Sequence, residues 1–220
     1  MLEVDNIEKY YHGVQLLYGV YLKAEEGQIT GILGSNGCGK STLLKIIFGS
    51  LRSKYKLIKV DGEVVLKKLY ETGIVKYLPQ HHFVPNFLSI RKALQLYQVS
   101  ESDFLSFFEA NHFEMHQKFG TLSGGQRRIV EVFMTLKTPS RIILLDEPFS
   151  HISPLQVEAI KQLMQKEKKH KAIVITDHLY REITEVSDAL YLIKNGSSTR
   201  IKKLTELEDY KYISEGSLPT

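Results

Sequence analysis

The chain has 220 residues, 43% of them apolar and 25% charged, with a formal net charge of +4. That length fits one sizeable domain, or one domain with a small insertion, and the balance of residues excludes intrinsic disorder. The charge is too mild to mark a nucleic-acid binder and fits a membrane surface or a protein partner equally well. The one cysteine, Cys38, excludes an intramolecular disulfide framework and suits a reducing compartment.

The opening MLEVDNIEKYY carries charges at once with no apolar block behind them, so no secretory leader is expected. LEVDNI and LLYGVYLKA read as antiparallel strands, and Ile29–Leu33 as a short buried strand. A helix is expected over Lys40–Phe48. LIKVDGEVVL then reads as a further antiparallel pair turned at Asp61-Gly62. From about residue 88 to 119 the pattern is helical and rich in phenylalanine, and Phe104, Phe107, Phe108 and Phe113 are expected to pack between short helices. Helices are predicted over 125–136, 155–168 and 179–185, and buried parallel strands over 142–145 and 172–175. KEKKHK (166–171) reads as the solvated end of a helix, and Asn195-Gly196 as a late hairpin turn. Alternation of strands and helices after an antiparallel start predicts an α/β fold with a mixed sheet, an N-terminal antiparallel β-subdomain and a short helical insertion. No stretch is long and apolar enough to span a bilayer, so a membrane role would come through another chain.

GSNGCGKST (34–42) lies between a strand and a helix, and residues 34–41 match G-x-x-x-x-G-K-[ST], a loop that cradles nucleotide phosphates. Gly34, Gly37 and Gly39 let the backbone approach the ligand, and the N–H groups of the loop, which also holds Ser35, Asn36 and Cys38, wrap the β-phosphate. Lys40 neutralises the β- and γ-oxygens, the Ser41 hydroxyl holds Mg²⁺, and Thr42 adds an α-phosphate contact. Cys38 reads either as a small residue that fits the loop or as a thiol whose pKa the helix N-terminus lowers. YLPQ closes a strand-like run with Gln80, whose amide can contact the metal or the attacking water. RIILLDEPF places Asp146 and Glu147 at the end of a buried strand, where ligands collect in open α/β sheets. Asp146 is expected to bind Mg²⁺ through water and Glu147 to act as general base. VITDH ends another strand with Asp177 and His178; if the two strands are neighbours, His178 reaches the γ-phosphate. FGTLSGGQRRIV adds a second phosphate device, because Ser123, Gly124 and Gly125 stand at a helix start, where free N–H groups and the helix dipole favour an anion.

With these residues in this order, the chain resembles the nucleotide-binding subunit of the ABC transporter family over residues 2 to about 203. GSNGCGKST is similar to that family's Walker A, YLPQ to its Q-loop, LSGGQ to its signature motif, IILLDEP to its Walker B and ITDH to its switch histidine. The wording of YLPQ and ITDH is most similar to the branch that includes lipopolysaccharide-export and branched-chain amino-acid ATPases. The resemblance implies a P-loop NTPase of the ABC-ATPase type and a single domain over 1–220. Its ATP-binding core would occupy 1–80 and 140–220, and a helical subdomain with the signature motif about 81–139. It implies ATP and Mg²⁺ as cofactors and Tyr11, or else Tyr10, stacked on adenine.

The resemblance also implies a head-to-tail dimer with a second ATPase subunit, a homodimer being expected. Ser123, Gly124, Gly125 and Gln126 of one chain then close over the γ-phosphate bound by residues 34–42 of the other, so each chain supplies half of two sites. The helical subdomain would receive a coupling helix from integral membrane permease subunits. That places the chain in the cytoplasm, peripheral on the inner face of the cell membrane, with no direct nucleic acid expected. Where the family commonly reads S-G-L-D after Walker B, this chain reads SHIS (150–153). Ser153 replaces an aspartate, yet SPLQ retains a capping box with Pro154 at the first helical position. The competing function is a soluble ABC ATPase acting on a nucleic-acid or ribosomal complex. Such proteins usually carry tandem cassettes or long coiled-coil insertions, and this chain has neither.

Overall fold

The computed structural model describes residues 1–109, 113–214 and 216. Residues 110–112 of the expected helical insertion, and 215 and 217–220 of the expected single domain, lie outside the described residues. The strands are β1 (Leu2–Tyr11), β2 (Val14–Ala24), β3 (Ile29–Leu33), β4 (Tyr55–Val60), β5 (Glu63–Val64), β6 (Val75–Leu78), β7 (Ile142–Asp146), β8 (Ala172–Thr176), β9 (Ala189–Lys194) and β10 (Ser197–Ile201). The helices are α1 (Lys40–Phe48), α2 (Ile90–Tyr97), α3 (Glu101–Phe107), α4 (Gly124–Lys137), α5 (Pro154–Glu167), α6 (Tyr180–Val186) and α7 (Glu206–Asp209).

Two sheets organise the chain. The first is antiparallel, in the order β2-β1-β4-β5; the second runs β10-β9-β3-β8-β7-β6, parallel except for β10. Both predicted hairpin turns form. Asp61 and Gly62 take φ of 52° and 85°, and Asn195 and Gly196 take 51° and 80°, the left-handed pair that a tight two-residue turn needs.

The central strands are buried on both faces, and their side chains alternate between two cores. Ile143 and Leu145 of β7 and Ile173 and Ile175 of β8 face the core under α4, α5 and α6. Ile142, Leu144 and Val174 face the other core, where the antiparallel sheet and Leu43, Leu44, Ile46 and Ile47 of α1 cover them. The helical insertion packs as expected. Phe104 is fully buried, with its ring centroid 4.5 Å from that of Phe108 and 5.5 Å from that of Phe133. Ser89 and Ser100 cap α2 and α3 by accepting from the N–H groups of Lys92 and Asp103.

Two helices begin one residue earlier than the periodicity predicts, because Ser123 and Ser153 are their caps and Gly124 and Pro154 are already helical. One expectation is corrected: KEKKHK is not uniformly solvated. Lys171 is buried, and its ammonium donates to the carbonyls of Leu136 and Thr138 and to Glu167 Oε2. The charge lies there because α4 ends beside it with unpaired carbonyls. No described helix is long and apolar enough to cross a membrane.

Gly31, in the middle of β3, admits α6 against the sheet. A Cβ there would lie 2.5 Å from Ser187 Oγ and 2.7 Å from Ile183 Cγ2. Gly31→Ala is therefore expected to cost about 1–3 kcal/mol and to lower the melting temperature in a thermal unfolding scan; an unchanged melting temperature would contradict this seating of α6.

Candidate functional site

Strands β3, β8, β7 and β6 lie side by side and parallel, so their carboxyl ends open at one edge of the sheet. Each is followed there by one of the predicted motifs. After β3 the loop 34–39 bends through positive φ at Gly34 (153°), Gly37 (79°) and Gly39 (107°). A Cβ on Gly39 would also come within 2.7 Å of Leu17 Cδ2, so both the conformation and the space require glycine. Gly39 is the N-cap of α1 and supplies no side-chain cap, which leaves the first-turn N–H groups of Lys40, Ser41 and Thr42 open to an anion. Lys40 is buried and curls back, its ammonium donating to the carbonyls of Gly34 at 2.7 Å and Ser35 at 3.2 Å. Ser35, Asn36 and Gly37 form the exposed rim.

Asp146 ends β7 and is fully buried. Its carboxylate accepts from Ser41 Oγ at 2.9 Å and from the Tyr77 hydroxyl at 2.8 Å. Burial raises its pKa, and the hydrogen bonds from Tyr77 and Ser41 oppose the rise. Burial and the adjacent carboxylate likewise push the Tyr77 hydroxyl well above its usual range. Among the described residues no side-chain cation is in ion-pair contact with Asp146. The Ser41 hydroxyl, the Asp146 carboxylate and the Gln80 amide are the hard oxygen donors that Mg²⁺ prefers, so the residues present fit that ion.

Glu147 takes φ of 52°, a costly conformation for a non-glycine residue, and its N–H donates to the Thr176 carbonyl at 2.7 Å. Its carboxylate accepts from Gln80 Nε2 at 2.9 Å and lies 3.9 Å from His178 Nδ1. His178 Nδ1 is 3.1 Å from Asp177 Oδ1. Asp177, fully buried, also accepts from the N–H groups of Phe149 and Leu179, and thereby ties the loops after β7 and β8 together. Burial raises the Asp177 pKa as well. The strand adjacency expected for His178 is present: β7 pairs directly with β8, with Asp146 opposite Thr176.

These groups converge on an open cleft of about 360 Å³, walled by Asn36, Gly37, the first turn of α1, Gln80, Glu147, His178 and Leu16. Leu16 was not legible from the sequence, since it is one apolar residue among several in β2. Neither Tyr11 nor Ser123–Gln126 is among the walls. Tyr11 ends β1 partly exposed, with Lys9 Nζ 4.7 Å from its ring centroid. The Ser123 hydroxyl accepts from Gln126 N at 3.2 Å and Gln126 Oε1 accepts from Ser123 N at 2.9 Å, a reciprocal cap. The first-turn N–H groups of Gly124 and Gly125 remain free of intrahelical partners by helix geometry. Burial raises the Cys38 pKa, partly opposed by Lys40, which favours the small-residue reading of Cys38 over the lowered-pKa one.

In the sequence Arg127 and Arg128 are simply two basic residues after LSGGQ. Arg128 is in fact buried, and donates to the carbonyls of Pro79 (2.8 Å), Asp146 (2.5 Å) and Glu147 (2.7 Å). Glu131, also fully buried, accepts from the N–H groups of Phe83 and Val84 and from Arg127 Nε, and its Oε2 is 2.9 Å from His82 Nδ1.

Residues 17–150 match the ABC transporter family. The lipopolysaccharide export system ATP-binding protein LptB of Haemophilus influenzae is 31% identical over 212 residues, covering 89% of this chain and 88% of that protein. The high-affinity branched-chain amino acid transport ATP-binding protein BraG of Pseudomonas aeruginosa is 26% identical over 209 residues, covering 89% and 90%. The fold is shared with a dimeric ATP-binding cassette solved in a post-hydrolysis state with ADP and Pi, at a TM-score of 0.77 and 23% identity over 93% of this chain and all of that one. The chain belongs to the ABC transporter family, as one of its ATPase subunits, and stands near the lipopolysaccharide-export and branched-chain amino-acid relatives.

Proposed function

We propose that this chain binds MgATP in the cleft at the carboxyl ends of β3, β6, β7 and β8 and hydrolyses it in a dimer of two such chains, driving transport through separate membrane subunits. One observation carries the reading. A single cleft gathers an uncapped helix N-terminus, a lysine, the Gln80–Glu147–His178 cluster and Ser41, whose hydroxyl is bonded to the buried Asp146 behind it, while the second phosphate device lies outside.

Each residue has a role that follows from its position. Loop 34–39 and the N–H groups of Lys40, Ser41 and Thr42 wrap the phosphates. Lys40 exchanges the carbonyls of Gly34 and Ser35 for the β- and γ-oxygens. Ser41, Gln80 and Asp146 would hold Mg²⁺, directly or through water, and the bound ion would offset the negative charge of the phosphates. Glu147, oriented by Gln80, takes the proton of the attacking water, and His178, oriented by Asp177, faces the γ-phosphate. Tyr11 stacks on adenine from the end of β1.

The open N–H groups of Gly124 and Gly125, flanked by Ser123 and Gln126, face the γ-phosphate of the opposite protomer. ATP then joins the two chains and its hydrolysis releases them. The whole chain, 1–220, is one ATPase domain, with its core at 1–80 and 140–220 and a helical part at about 81–139 that meets the membrane subunits. The chain acts from the cytoplasmic side of the membrane. The two named relatives support a transport role, and nothing in the site favours a nucleic-acid complex.

Glu147→Gln is expected to lower ATP turnover by about 10²-fold or more while ATP still binds, and to trap an ATP-dependent dimer on size exclusion. Hydrolysis at the wild-type rate would remove Glu147 from its role. Ser41→Ala is expected to raise the Mg²⁺ concentration needed for half-maximal turnover, with little change in melting temperature without nucleotide; an unaltered Mg²⁺ titration would remove Ser41 as a ligand. Capture of the tagged chain from native membranes is expected to recover a multi-span protein. Recovery of ribosomes or nucleic-acid complexes alone would favour the competing function.

A further inference from the structure

We propose that Arg128 is a positioning residue for the hydrolytic pair Gln80–Glu147, one that ties the pair to the signature helix α4; this rests on the ATPase reading above. Gln80 and Glu147 come from separate segments, after β6 and after β7, yet one guanidinium holds the main chain of both. It donates to the carbonyl of Pro79, the residue before Gln80, and to the carbonyls of Asp146 and Glu147 themselves.

One turn further along α4, Glu131 holds the other end of the same segment through the N–H groups of Phe83 and Val84, and Arg127 donates to Val84 O and to Asn86 Oδ1. Gln80 is therefore stapled on both sides to the helix whose first residues are Gly124 and Gly125. Its amide meets the Glu147 carboxylate at 2.9 Å, with the main chain beside each residue anchored to that one guanidinium.

The energetics favour positioning over stability. Arg128 is 2% exposed and, among the described residues, forms no ion pair and has no hydrogen-bond partner for its Nε–H. A buried charge held by carbonyls alone costs desolvation that a well-packed apolar residue would not. Burial lowers its pKa, while the charges of Glu131, Asp146, Asp177 and Glu147 oppose the fall. The planar fork spreads its donors over carbonyls of two separate segments, which the single nitrogen of lysine does not match in geometry, so lysine is not an equivalent replacement.

The test uses the full chain and the variants Arg128→Lys, Arg128→Met and Arg128→Ala. Steady-state ATP hydrolysis, MgATP binding by titration and amide hydrogen exchange are compared with wild type. For Arg128→Lys we expect KM and MgATP affinity to stay within about twofold and kcat to fall about tenfold to 10²-fold, as a misplacement of about 1 Å does. Exchange should quicken in the peptides covering 79–84 and 146–149 and stay unchanged in α1 and the phosphate loop. Free guanidinium should restore part of kcat in Arg128→Ala, which a merely structural role would not do.

Unchanged kcat with unchanged exchange in Arg128→Lys overturns the proposal. So does exchange that quickens throughout the chain with kcat and affinity lost together, since that marks a general loss of stability. If Arg128→Met does not fold, Arg128→Lys decides. A wild-type chain that binds but does not hydrolyse ATP would sink the ATPase reading, and the local exchange result would still decide whether Arg128 places the two segments.

Discussion

The register of β7 against β8 and β6 is the constraint on which the site depends. Asp146 pairs with Thr176, and Leu145 with both Ile175 and Leu78, so the three chains leave the sheet at the same level. Side chains alternate across a strand, so a slip of one residue would turn Asp146 from Ser41 toward the helical core and carry Glu147 away from Gln80. The two cores hold the register. Ile143, Leu145, Ile173 and Ile175 are buried on one face and Leu144 and Val174 on the other, and any slip would exchange them. Hydrophobic alternation, which contains no chemistry, is thus what places the carboxylates.

Above that frame lies a concentration of buried polarity. Asp146, Asp177, Glu131 and Arg128 are each nearly or fully excluded from water. Burying such groups is costly unless each is hydrogen-bonded, and each is: Asp177, Glu131 and Arg128 chiefly to main-chain groups of the loops that carry Gln80, Glu147 and His178, and Asp146 to the hydroxyls of Ser41 and Tyr77. The raised pKa values of Asp146 and Asp177 report the same cost. A carboxylate held in this way is stabilised by any cation that arrives beside it, and the open helix end of α1 is stabilised by any anion. A metal–triphosphate pair supplies both at once. The left-handed backbone of Glu147 fits this picture, because strain at a residue held by its neighbours keeps its carboxylate beside Gln80, where the proposed base is needed, rather than where the chain would relax.

Much of this was legible in the residues themselves. The phosphate loop declares itself because only glycine suits Gly34, Gly37 and Gly39, and both hairpins declare themselves through Asp61-Gly62 and Asn195-Gly196. Caps at Ser123 and Ser153 follow from Gln126 and Gln156 three residues on. What stayed hidden shares one property: its meaning lies in a partner distant in sequence. Tyr77 looks like any strand aromatic until Asp146 is beside it. Arg128 and Lys171 look solvated by charge alone, yet each ends against carbonyls supplied by another segment. Leu16 faces the cleft without any polar signal. Local chemistry is written in the sequence; long-range satisfaction of buried charge is not.

The replacement at Ser153 shows how the two levels interact. Its hydroxyl accepts from Gln156 N and its own N–H is bonded by Gln156 Oε1, so α5 begins as firmly as it would behind an aspartate. What is lost is a charge. The segment before it nevertheless remains tightly placed. His151 holds a left-handed φ of 63°, and its carbonyl lies where a Cβ on Gly125 would come within 2.5 Å. The first turn of α4 therefore rests on the chain four residues beyond Glu147 with no space between them. Displacement of Gly125 toward that chain has to move the His151 carbonyl, which belongs to a residue held at a left-handed φ. Contact between α4 and the chain after β7 thus does not depend on the aspartate that the family resemblance would place at 153, because it rests on close packing of backbone against backbone rather than on charge.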